Sequence, residues 1–107
     1  MRVVICGYGK MGHEIEAVLA GRGHQITTII DPAHDIGKTR RVTAQALSGA
    51  DGVIEFSQAD AVLDNARVYA DHPVSVVVGT TGWDADRAQV IDIVESAGLG
   101  YLAGSNF

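Results

Sequence analysis

Two short glycine-containing segments have residue types and spacing that could do chemistry. The first has the spacing G-x-G-x-x-G, between an apolar β-branched run and a segment with helical periodicity; it consists of Gly7, Tyr8, Gly9, Lys10, Met11 and Gly12. In such a context the first glycine makes a tight turn, the second lets the backbone approach a pyrophosphate, and the third lets the helix pack on the strand. The start of the helix also directs unpaired N–H groups at phosphate oxygens.

A carboxylate follows the second predicted strand, about 20 residues beyond the last of these glycines. It is Asp31, which can accept hydrogen bonds from the hydroxyl groups of an adenosine ribose. This carboxylate would repel a 2′-phosphate, which favours NADH. However, Lys38, Arg40 and Arg41 lie on the following loop and could hold such a phosphate, so NADPH stays open. Lys10, beside the turn, either contacts phosphates or is solvated.

Three further segments with small or polar residues follow predicted strands in the second half of the chain. They share free backbone donors, hydroxyl or amide side chains and a nearby aromatic ring. They are Glu55-Phe56-Ser57, Gly79-Thr80-Thr81-Gly82 and Gly104-Ser105-Asn106-Phe107. Ligands of doubly wound sheets bind beyond the carboxyl ends of the strands. These segments therefore suit the ribose and carboxamide of a nicotinamide nucleotide.

The elements that would position these segments are alternating strands and helices. Continuous apolar runs predict strands at 2–6, 25–30, 53–56, 74–78 and 99–103, as expected for a parallel sheet covered on both faces. Residues 32–50 are predicted as a surface loop with a short helix. The regular alternation predicts an α/β fold, a doubly wound parallel sheet of the Rossmann type.

Helical periodicity supplies three apolar faces between the strands. They comprise Met11, Ile15, Val18 and Leu19; Ala59, Val62, Leu63, Ala66 and Tyr69; and Val90, Ile91, Val94 and Ala97. Ser57 and Asp84 are the predicted N-caps of the second and third helices. Gly23 and Gly98 occupy the positions of helix C-terminal glycines.

Composition limits the classes of function. With 47% hydrophobic residues the chain can form one globular domain over residues 1–107, and its net charge of -5 disfavours a nucleic-acid partner. The single cysteine, Cys6, excludes an internal disulfide, and the histidines have no spacing typical of a metal site. The short apolar start predicts neither a signal peptide nor a membrane partner, so the expected location is the cytoplasm.

The order of four motifs closely resembles the N-terminal domain of the 4-hydroxy-tetrahydrodipicolinate reductases, also called dihydrodipicolinate reductases. The motifs are GYGKMG, VIEFS, VVVGTTGW and LAGSNF. The first is shared by many nucleotide-binding proteins, whereas GTTG followed by S-N-F is much more specific. The resemblance covers the whole chain. It implies an oxidoreductase of diaminopimelate and lysine biosynthesis that transfers a hydride from NADH or NADPH to a cyclic unsaturated dicarboxylate.

The resemblance also implies a role for each segment. Residues 7–12 would hold the pyrophosphate and Asp31 the adenosine ribose, with Phe56 and Ser57 beside the nicotinamide half. The nicotinamide end would be bound by Gly79, Thr80 and Thr81, and Thr81 would also face a substrate carboxylate. Backbone groups of the last segment would contact the carboxamide and lead into a hinge at 104–107; these residues are Gly104, Ser105, Asn106 and Phe107.

The sequence departs from the family in detail and in length. The first turn is of the shorter form, Glu55 stands where aspartate is common, and G-S-N-F replaces the more usual A-P-N-F. The family's catalytic segment, with two histidines, a lysine and a serine-glycine-threonine turn, has no counterpart here. We therefore expect no catalytic residue in this chain, dinucleotide binding without turnover, and a homo-oligomer only through the missing substrate domain.

Two other interpretations share the first half of the argument. One is the nucleotide domain of an amino-acid or semialdehyde dehydrogenase, which should lack GTTG followed by S-N-F. The other is a non-catalytic nucleotide-sensing domain, which would need neither Thr80 nor Thr81.

Overall fold

The computed structural model describes residues 1–31, 41–72 and 74–104, which form five strands and four α-helices. The strands are β1 (Arg2–Cys6), β2 (Gln25–Ile30), β3 (Gly52–Glu55), β4 (Ser75–Val78) and β5 (Tyr101–Ala103). The helices are α1 (Lys10–Gly21), α2 (Ala44–Leu47), α3 (Val62–Ala70) and α4 (Arg87–Ser96). Single 3₁₀ turns at Ala59–Ala61 and Asp84–Asp86 lead into α3 and α4.

The five strands form one parallel sheet in the order β2-β1-β3-β4-β5. From β1 the chain moves outward to β2 through α1, then crosses back to β3 and moves outward in the other direction. Because such crossovers are right-handed, the reversal places α1 on one face of the sheet and α3 and α4 on the other. The predicted α/β fold, a Rossmann-type parallel sheet, is confirmed.

The face under α2, α3 and α4 carries the main hydrophobic core. Alternate strand residues point into it, as the period of a strand requires. The strand contribution is Val4, Cys6, Ile30, Val53, Val76 and Val78, and the helices add Ala46, Leu47, Val62, Ala66, Tyr69, Val90 and Val94. Tyr69 is fully buried, and burying a side chain of this kind stabilises the fold by roughly 2 kcal/mol.

The opposite face is covered only in part. Ile29, Ile5, Ile54, Val77 and Leu102 form one row across the sheet. Ile5 is 1% exposed, whereas Leu102 at the far edge is 59% exposed. The row therefore becomes more exposed towards β5, because α1 packs mainly on β1 and β2.

The partial cover also explains a prediction about α1 that was wrong in part. Its predicted apolar face includes Met11 and Val18, which are 46% and 53% exposed. Only Gly12 of this helix is buried. Helical periodicity identified the helix correctly but not how little of it contacts the sheet.

The predicted helix C-termini are confirmed. Gly23 and Gly98 have φ of +79° and +67°, and each closes a Schellman motif. The motif is completed by the N–H of His24, which donates to the Leu19 carbonyl at 3.0 Å, and by that of Leu99, which donates to Val94 at 2.9 Å.

The predicted N-caps were wrong. Ser57 precedes a 3₁₀ turn whose N-cap residue is Gln58, and Asp84 is itself the first residue of a 3₁₀ turn whose N-cap residue is Trp83. Neither N-cap residue makes a side-chain hydrogen bond. The short helix predicted within 32–50 is α2, capped by the Thr43 hydroxyl, which accepts the Ala46 N–H at 3.1 Å. No helix in the described part of the chain has the length and apolarity needed to cross a membrane.

Candidate functional site

The segments predicted to bind a nucleotide begin together at the carboxyl edge of the sheet. The residue that follows each of β1, β3, β4 and β5 donates its backbone N–H to the last carbonyl of the neighbouring strand. These bonds run from Gly7 to Ile30 (2.7 Å), Phe56 to Cys6 (2.8 Å), Gly79 to Glu55 (2.8 Å) and Gly104 to Val78 (3.1 Å). The sheet itself therefore fixes the starting point of each segment. The direction of winding reverses between β1 and β3, where a ligand of such a sheet is expected.

The first glycine turn, residues 7–12, needs its glycines for different reasons. Gly7 has φ of +101°, and a Cβ atom there would lie 2.2 Å from the Phe56 carbonyl oxygen. A Cβ on Gly12 would lie 2.3 Å from the Gly7 carbonyl oxygen. A Cβ on Gly9 would meet no atom of the described residues within 4 Å. Packing therefore requires the outer two glycines, whereas the space beside Gly9 is open to a ligand.

Helix α1 begins directly after Gly9 and presents its N-terminus to this open space. Gly9 is the N-cap residue and supplies no side-chain hydrogen bond, and the first turn contains no acidic residue. Lys10 and Met11 are exposed. Uncapped N–H groups and the positive end of the helix dipole favour an anion at this position.

The side chain of Tyr8 ties the turn to α1. Its ring stacks on His13, with ring centroids 3.8 Å apart, and its hydroxyl donates to the Glu16 carboxylate. The bond to Glu16 raises the pKa of the Tyr8 phenol. His13 Nδ1 also lies 2.8 Å from the Gly9 carbonyl oxygen. These contacts hold the backbone of the first glycine turn in one conformation.

Asp31 lies at the end of β2, next to the first glycine turn. Its carboxylate is 7% exposed, and Oδ2 accepts the backbone N–H of Tyr8 at 2.8 Å. The carboxylate is therefore fixed relative to the glycines rather than being a loose surface group. This placement brings together the residues predicted for the pyrophosphate and the adenosine ribose.

The second glycine turn, residues 79–82, is built against the ring of Phe56. A Cβ on Gly79 would lie 2.0 Å from Phe56 Cε1, so the absence of a side chain makes room for the ring. Gly82 has φ of +85° and reverses the chain towards α4. Phe56, which is half-buried, lies between the two turns because its carbonyl also contacts Gly7.

The two threonines of this turn have different environments. Thr80 is 8% exposed, and its hydroxyl oxygen accepts the backbone N–H of Ser57 at 2.9 Å. The Thr80 carbonyl oxygen accepts the indole N–H of Trp83 at 2.6 Å. Thr81 is exposed. Thr80 therefore closes the turn, whereas Thr81 presents its side chain outward.

A fully buried carboxyl group, Glu55, lies beneath the junction of the two turns. It accepts hydrogen bonds from the hydroxyls of Ser57 (2.5 Å) and Tyr69 (2.6 Å) and from the Asn65 amide (3.2 Å). This network corrects the predicted role of Ser57, whose hydroxyl bonds to the strand instead of capping α3. The signal for Glu55 in the sequence is a carboxylate at an inward-facing position of an apolar strand.

The network perturbs the protonation equilibria of its members. Burial raises the pKa of Glu55, and the hydrogen bonds from Ser57, Tyr69 and Asn65 oppose that rise. Burial and the nearby Glu55 charge raise the pKa of the Cys6 thiol and of the Tyr69 phenol. The same two causes raise the pKa of Tyr101. These neighbours therefore stay neutral while Glu55 ionises.

Part of the predicted site falls outside the described residues. Gly104 is half-buried at the end of β5, but Ser105, Asn106, Phe107, Lys38 and Arg40 are not described. Arg41 is described and exposed. Within residues 1–31, 41–72 and 74–104, no three His, Cys, Asp or Glu side chains are grouped to hold a metal ion.

Comparison with known proteins identifies the family. A family model described as "Dihydrodipicolinate reductase, N-terminus" matches residues 1–107. The 4-hydroxy-tetrahydrodipicolinate reductase of Beutenbergia cavernae is 35% identical over 112 residues, covering 100% of this chain and 42% of that protein. The enzyme of the same name from Christiangramia forsetii is 31% identical over 110 residues, again covering 100% of this chain and 42% of the relative.

A third relative gives the same result. The 4-hydroxy-tetrahydrodipicolinate reductase of Cutibacterium acnes is 32% identical over 100 residues, which is 85% of this chain and 41% of that protein. The chain thus spans about two fifths of the length of these relatives, all of which are named reductases. With a Rossmann-type sheet and a family match over residues 1–107, the chain belongs to the dihydrodipicolinate reductase N-terminal family.

Proposed function

We propose that this chain is the NADH- or NADPH-binding part of a 4-hydroxy-tetrahydrodipicolinate reductase of diaminopimelate and lysine biosynthesis. The observation that supports this most is the arrangement of the first glycine turn. Packing accounts for Gly7 and Gly12, but no atom of residues 1–31, 41–72 or 74–104 lies where a Cβ on Gly9 would be, at an uncapped helix N-terminus. A dinucleotide pyrophosphate supplies the missing reason.

The described residues fit a nicotinamide dinucleotide at both ends. Asp31, fixed by the Tyr8 N–H, offers a carboxylate to the hydroxyls of the adenosine ribose. The nicotinamide half would lie near the ends of β3 and β4. There it would meet the aromatic ring of Phe56 and the hydroxyl groups of Ser57 and Thr81. A carboxylate at the ribose favours NADH over NADPH, because it would repel a 2′-phosphate.

In the complete enzyme, a bound NADH or NADPH would supply a hydride to an unsaturated cyclic dicarboxylate, and a proton from elsewhere in that enzyme would accompany the loss of water. The residues of this chain bind and orient rather than react. The first glycine turn holds the pyrophosphate, and the second glycine turn positions the nicotinamide end. Thr81, exposed on that turn, faces a carboxylate of the substrate. The role assigned to Gly104, and to residues 105–107 outside the described part of the chain, is to contact the carboxamide and to lead into the substrate domain.

The remaining part of the enzyme completes the site. The chain spans 42% of the length of two of its relatives. We therefore assign the proton donor and most substrate contacts to the rest of the complete enzyme. The purified 107-residue chain should therefore bind the dinucleotide and turn over no substrate. We further propose that the complete enzyme is cytoplasmic and assembles as a homo-oligomer through its substrate domain.

The experiment that tests this proposal places a charge beside Gly9. Aspartate is a favourable N-cap residue, so Gly9→Asp should leave the free energy of unfolding unchanged or higher. The same carboxylate would repel the pyrophosphate, and NADH affinity should fall about 100-fold. Gly21→Asp is the control for the change in net charge. Gly21 lies at the other end of α1, and a Cβ there would also meet no atom of the described residues within 4 Å.

The outcome is measured by titration, using the fluorescence of the reduced nicotinamide. Gly21→Asp should bind NADH within about twofold of the wild type, as expected for a surface substitution. Equal affinities of the wild type and Gly9→Asp would contradict the proposed pyrophosphate site. Absence of NADH and NADPH binding by the wild type would contradict the function itself.

A further inference from the structure

A carboxyl group is buried at a position where an apolar side chain would be expected. Glu55, the last residue of β3, is 0% exposed and lies in one row with Cys6 and Val78 on the core face of the sheet. A buried carboxylate costs several kcal/mol of desolvation, and well-packed apolar replacements of buried charges are often neutral or stabilising. Stability alone therefore does not explain this residue.

The three donors that compensate Glu55 come from α3 and from the loop that follows β3. Tyr69 and Asn65 belong to α3 and bind the carboxylate from within the core, at 2.6 and 3.2 Å. Ser57 lies on the loop between the two glycine turns, and its hydroxyl donates at 2.5 Å to Oε2, the same oxygen that accepts from Asn65. Ser57 is half-buried, so one side of it faces the core and the other faces the candidate site.

This arrangement determines what Ser57 can offer to a ligand. A serine hydroxyl has one proton and two lone pairs, and here the proton is directed to Glu55. The backbone N–H of Ser57 is also committed, because it donates to the Thr80 hydroxyl oxygen at 2.9 Å. Ser57 therefore offers the candidate site only the lone pairs of its hydroxyl oxygen, which can accept a hydrogen bond.

We propose that Glu55 is a positioning residue that holds the Ser57 hydroxyl as an acceptor for a hydroxyl group of the ligand. The inference rests on the proposed function, in which Asp31 serves the adenosine ribose and Ser57 lies beside the nicotinamide half. The ligand group of matching chemistry is then a hydroxyl of the nicotinamide ribose, which donates to Ser57.

Glu55→Gln weakens the hold on the Ser57 proton. Asn65 donates to the same oxygen as Ser57, so the amide oxygen of the substituted side chain stays towards these two donors and its nitrogen donates to the Tyr69 oxygen. A neutral amide oxygen is a weaker acceptor than a carboxylate, which leaves the Ser57 hydroxyl freer to turn its proton outward. Affinity for reduced nicotinamide mononucleotide should fall by about three- to tenfold, up to the effect of one hydrogen bond to a ligand. Affinity for ADP, which represents the other half of the dinucleotide, should stay within about twofold. Glu95→Gln, the same change at an exposed site in the last turn of α4, is the matched control.

A double-mutant cycle separates positioning from general structural support. Ser57→Ala should weaken binding of the mononucleotide by a similar factor, and adding Glu55→Gln to it should cause no further loss. Additive losses, or an equal loss of ADP affinity in Glu55→Gln, would overturn the proposal. Failure of the wild type to bind either half would overturn the proposed function first, so the two failures are distinguishable.

If Glu55→Gln does not fold, the proposal can be tested by the pH dependence of mononucleotide binding in the wild type and in Ser57→Ala. The carboxylate form accepts the Ser57 proton, so wild-type affinity for the mononucleotide should rise as Glu55 ionises, and Ser57→Ala should lack this rise. The other titratable groups facing Glu55 are Cys6 on β1, Tyr69 on α3 and Tyr101 on β5, whose raised pKa values keep them neutral in this range. Identical pH profiles of the two proteins would overturn the proposal.

Discussion

The two glycine turns occupy equivalent places after β1 and β4, two parallel strands with β3 between them, yet their glycines solve different problems. In the first glycine turn, Gly9 faces open space beside an uncapped helix. In the second, the Phe56 ring occupies the space that a side chain at Gly79 would need. Thr80 is buried, and its hydroxyl and carbonyl oxygens both accept hydrogen bonds from the protein. The first turn thus exposes bare backbone, whereas the second buries its backbone and exposes one hydroxyl, that of Thr81. A glycine motif therefore indicates a ligand only at positions that packing does not explain.

The largest effect should come from the crowded glycine of the first turn. Gly7→Ala combines a left-handed backbone with a Cβ 2.2 Å from a backbone oxygen that cannot move aside. We expect the free energy of unfolding to fall by about 3 kcal/mol or more. Urea unfolding measures this loss, and a loss below that of Gly9→Ala would contradict the distinction between the two glycines.

A smaller effect is expected at Gly79, because the atoms it meets belong to a side chain. Gly79→Ala should cost about 2 kcal/mol, since its Cβ would lie 2.0 Å from the Phe56 ring. The ring can be removed, so Phe56→Leu in the same protein should recover much of the loss. Unfolding of the four proteins of this cycle provides the measurement. If the losses of unfolding free energy from the two substitutions were strictly additive, the ring would not be what excludes a side chain at Gly79.

Glu55 connects the two turns, and its ionisation should be visible in stability. Burial raises its pKa in the folded chain above the unfolded value of about 4.3. The folded state therefore binds the proton more tightly, so the stabilisation is full below the unfolded pKa and is lost as pH rises through the folded pKa. Wild-type stability relative to Glu55→Gln should decline with pH in that window, by at most about 1.4 kcal/mol per unit.

The measurement is urea unfolding of both proteins between pH 4 and pH 8, using about five values of pH. The difference isolates Glu55, because Cys6, Tyr69 and Tyr101 have pKa values raised away from this range. A difference that instead grows with pH would show that the three hydrogen bonds outweigh burial and lower the pKa.

The smallest effects separate the two threonines. Thr80→Val leaves the partly buried Ser57 N–H without its acceptor and should cost about 1 kcal/mol of stability. Thr81→Val is exposed and should leave stability within about 0.5 kcal/mol. By the proposed function, Thr81→Val instead lowers affinity for the nicotinamide half and weakens any ternary complex with a dicarboxylate. Unchanged binding in Thr81→Val would favour a non-catalytic nucleotide-sensing domain.

The sequence predicts the fold well because its signals are strong and local. Continuous β-branched runs and the glycines at 23 and 98 have local causes, and the structure confirms both. The predicted bounds differ from the structure by one residue at both ends of β3, by one residue at the start of β4 and by two residues at the start of β5. The α1 face was misjudged because periodicity shows which side of a helix is apolar but not how much of it is covered.

The candidate site is less predictable because tertiary contacts determine it. Ser57 has the local character of an N-cap, but its hydroxyl donates to Glu55, a stronger acceptor two residues earlier, whose carboxylate the fold buries beside Asn65 and Tyr69. The adjacent Thr80 and Thr81 cannot be told apart from sequence, although one is buried and the other exposed. The roles assigned to the individual cofactor-binding residues remain predictions.

The most direct test of the account is an NMR titration that observes both turns in one sample. Backbone amide shifts of the chain are followed as NADH is added, and then as ADP is added to a second sample. We predict that NADH shifts residues 7–12, Asp31 and residues 79–82, whereas ADP shifts only the first glycine turn and Asp31. An NADH titration that leaves both turns unshifted, or an ADP titration that shifts residues 79–82 equally, would contradict the division of labour between them.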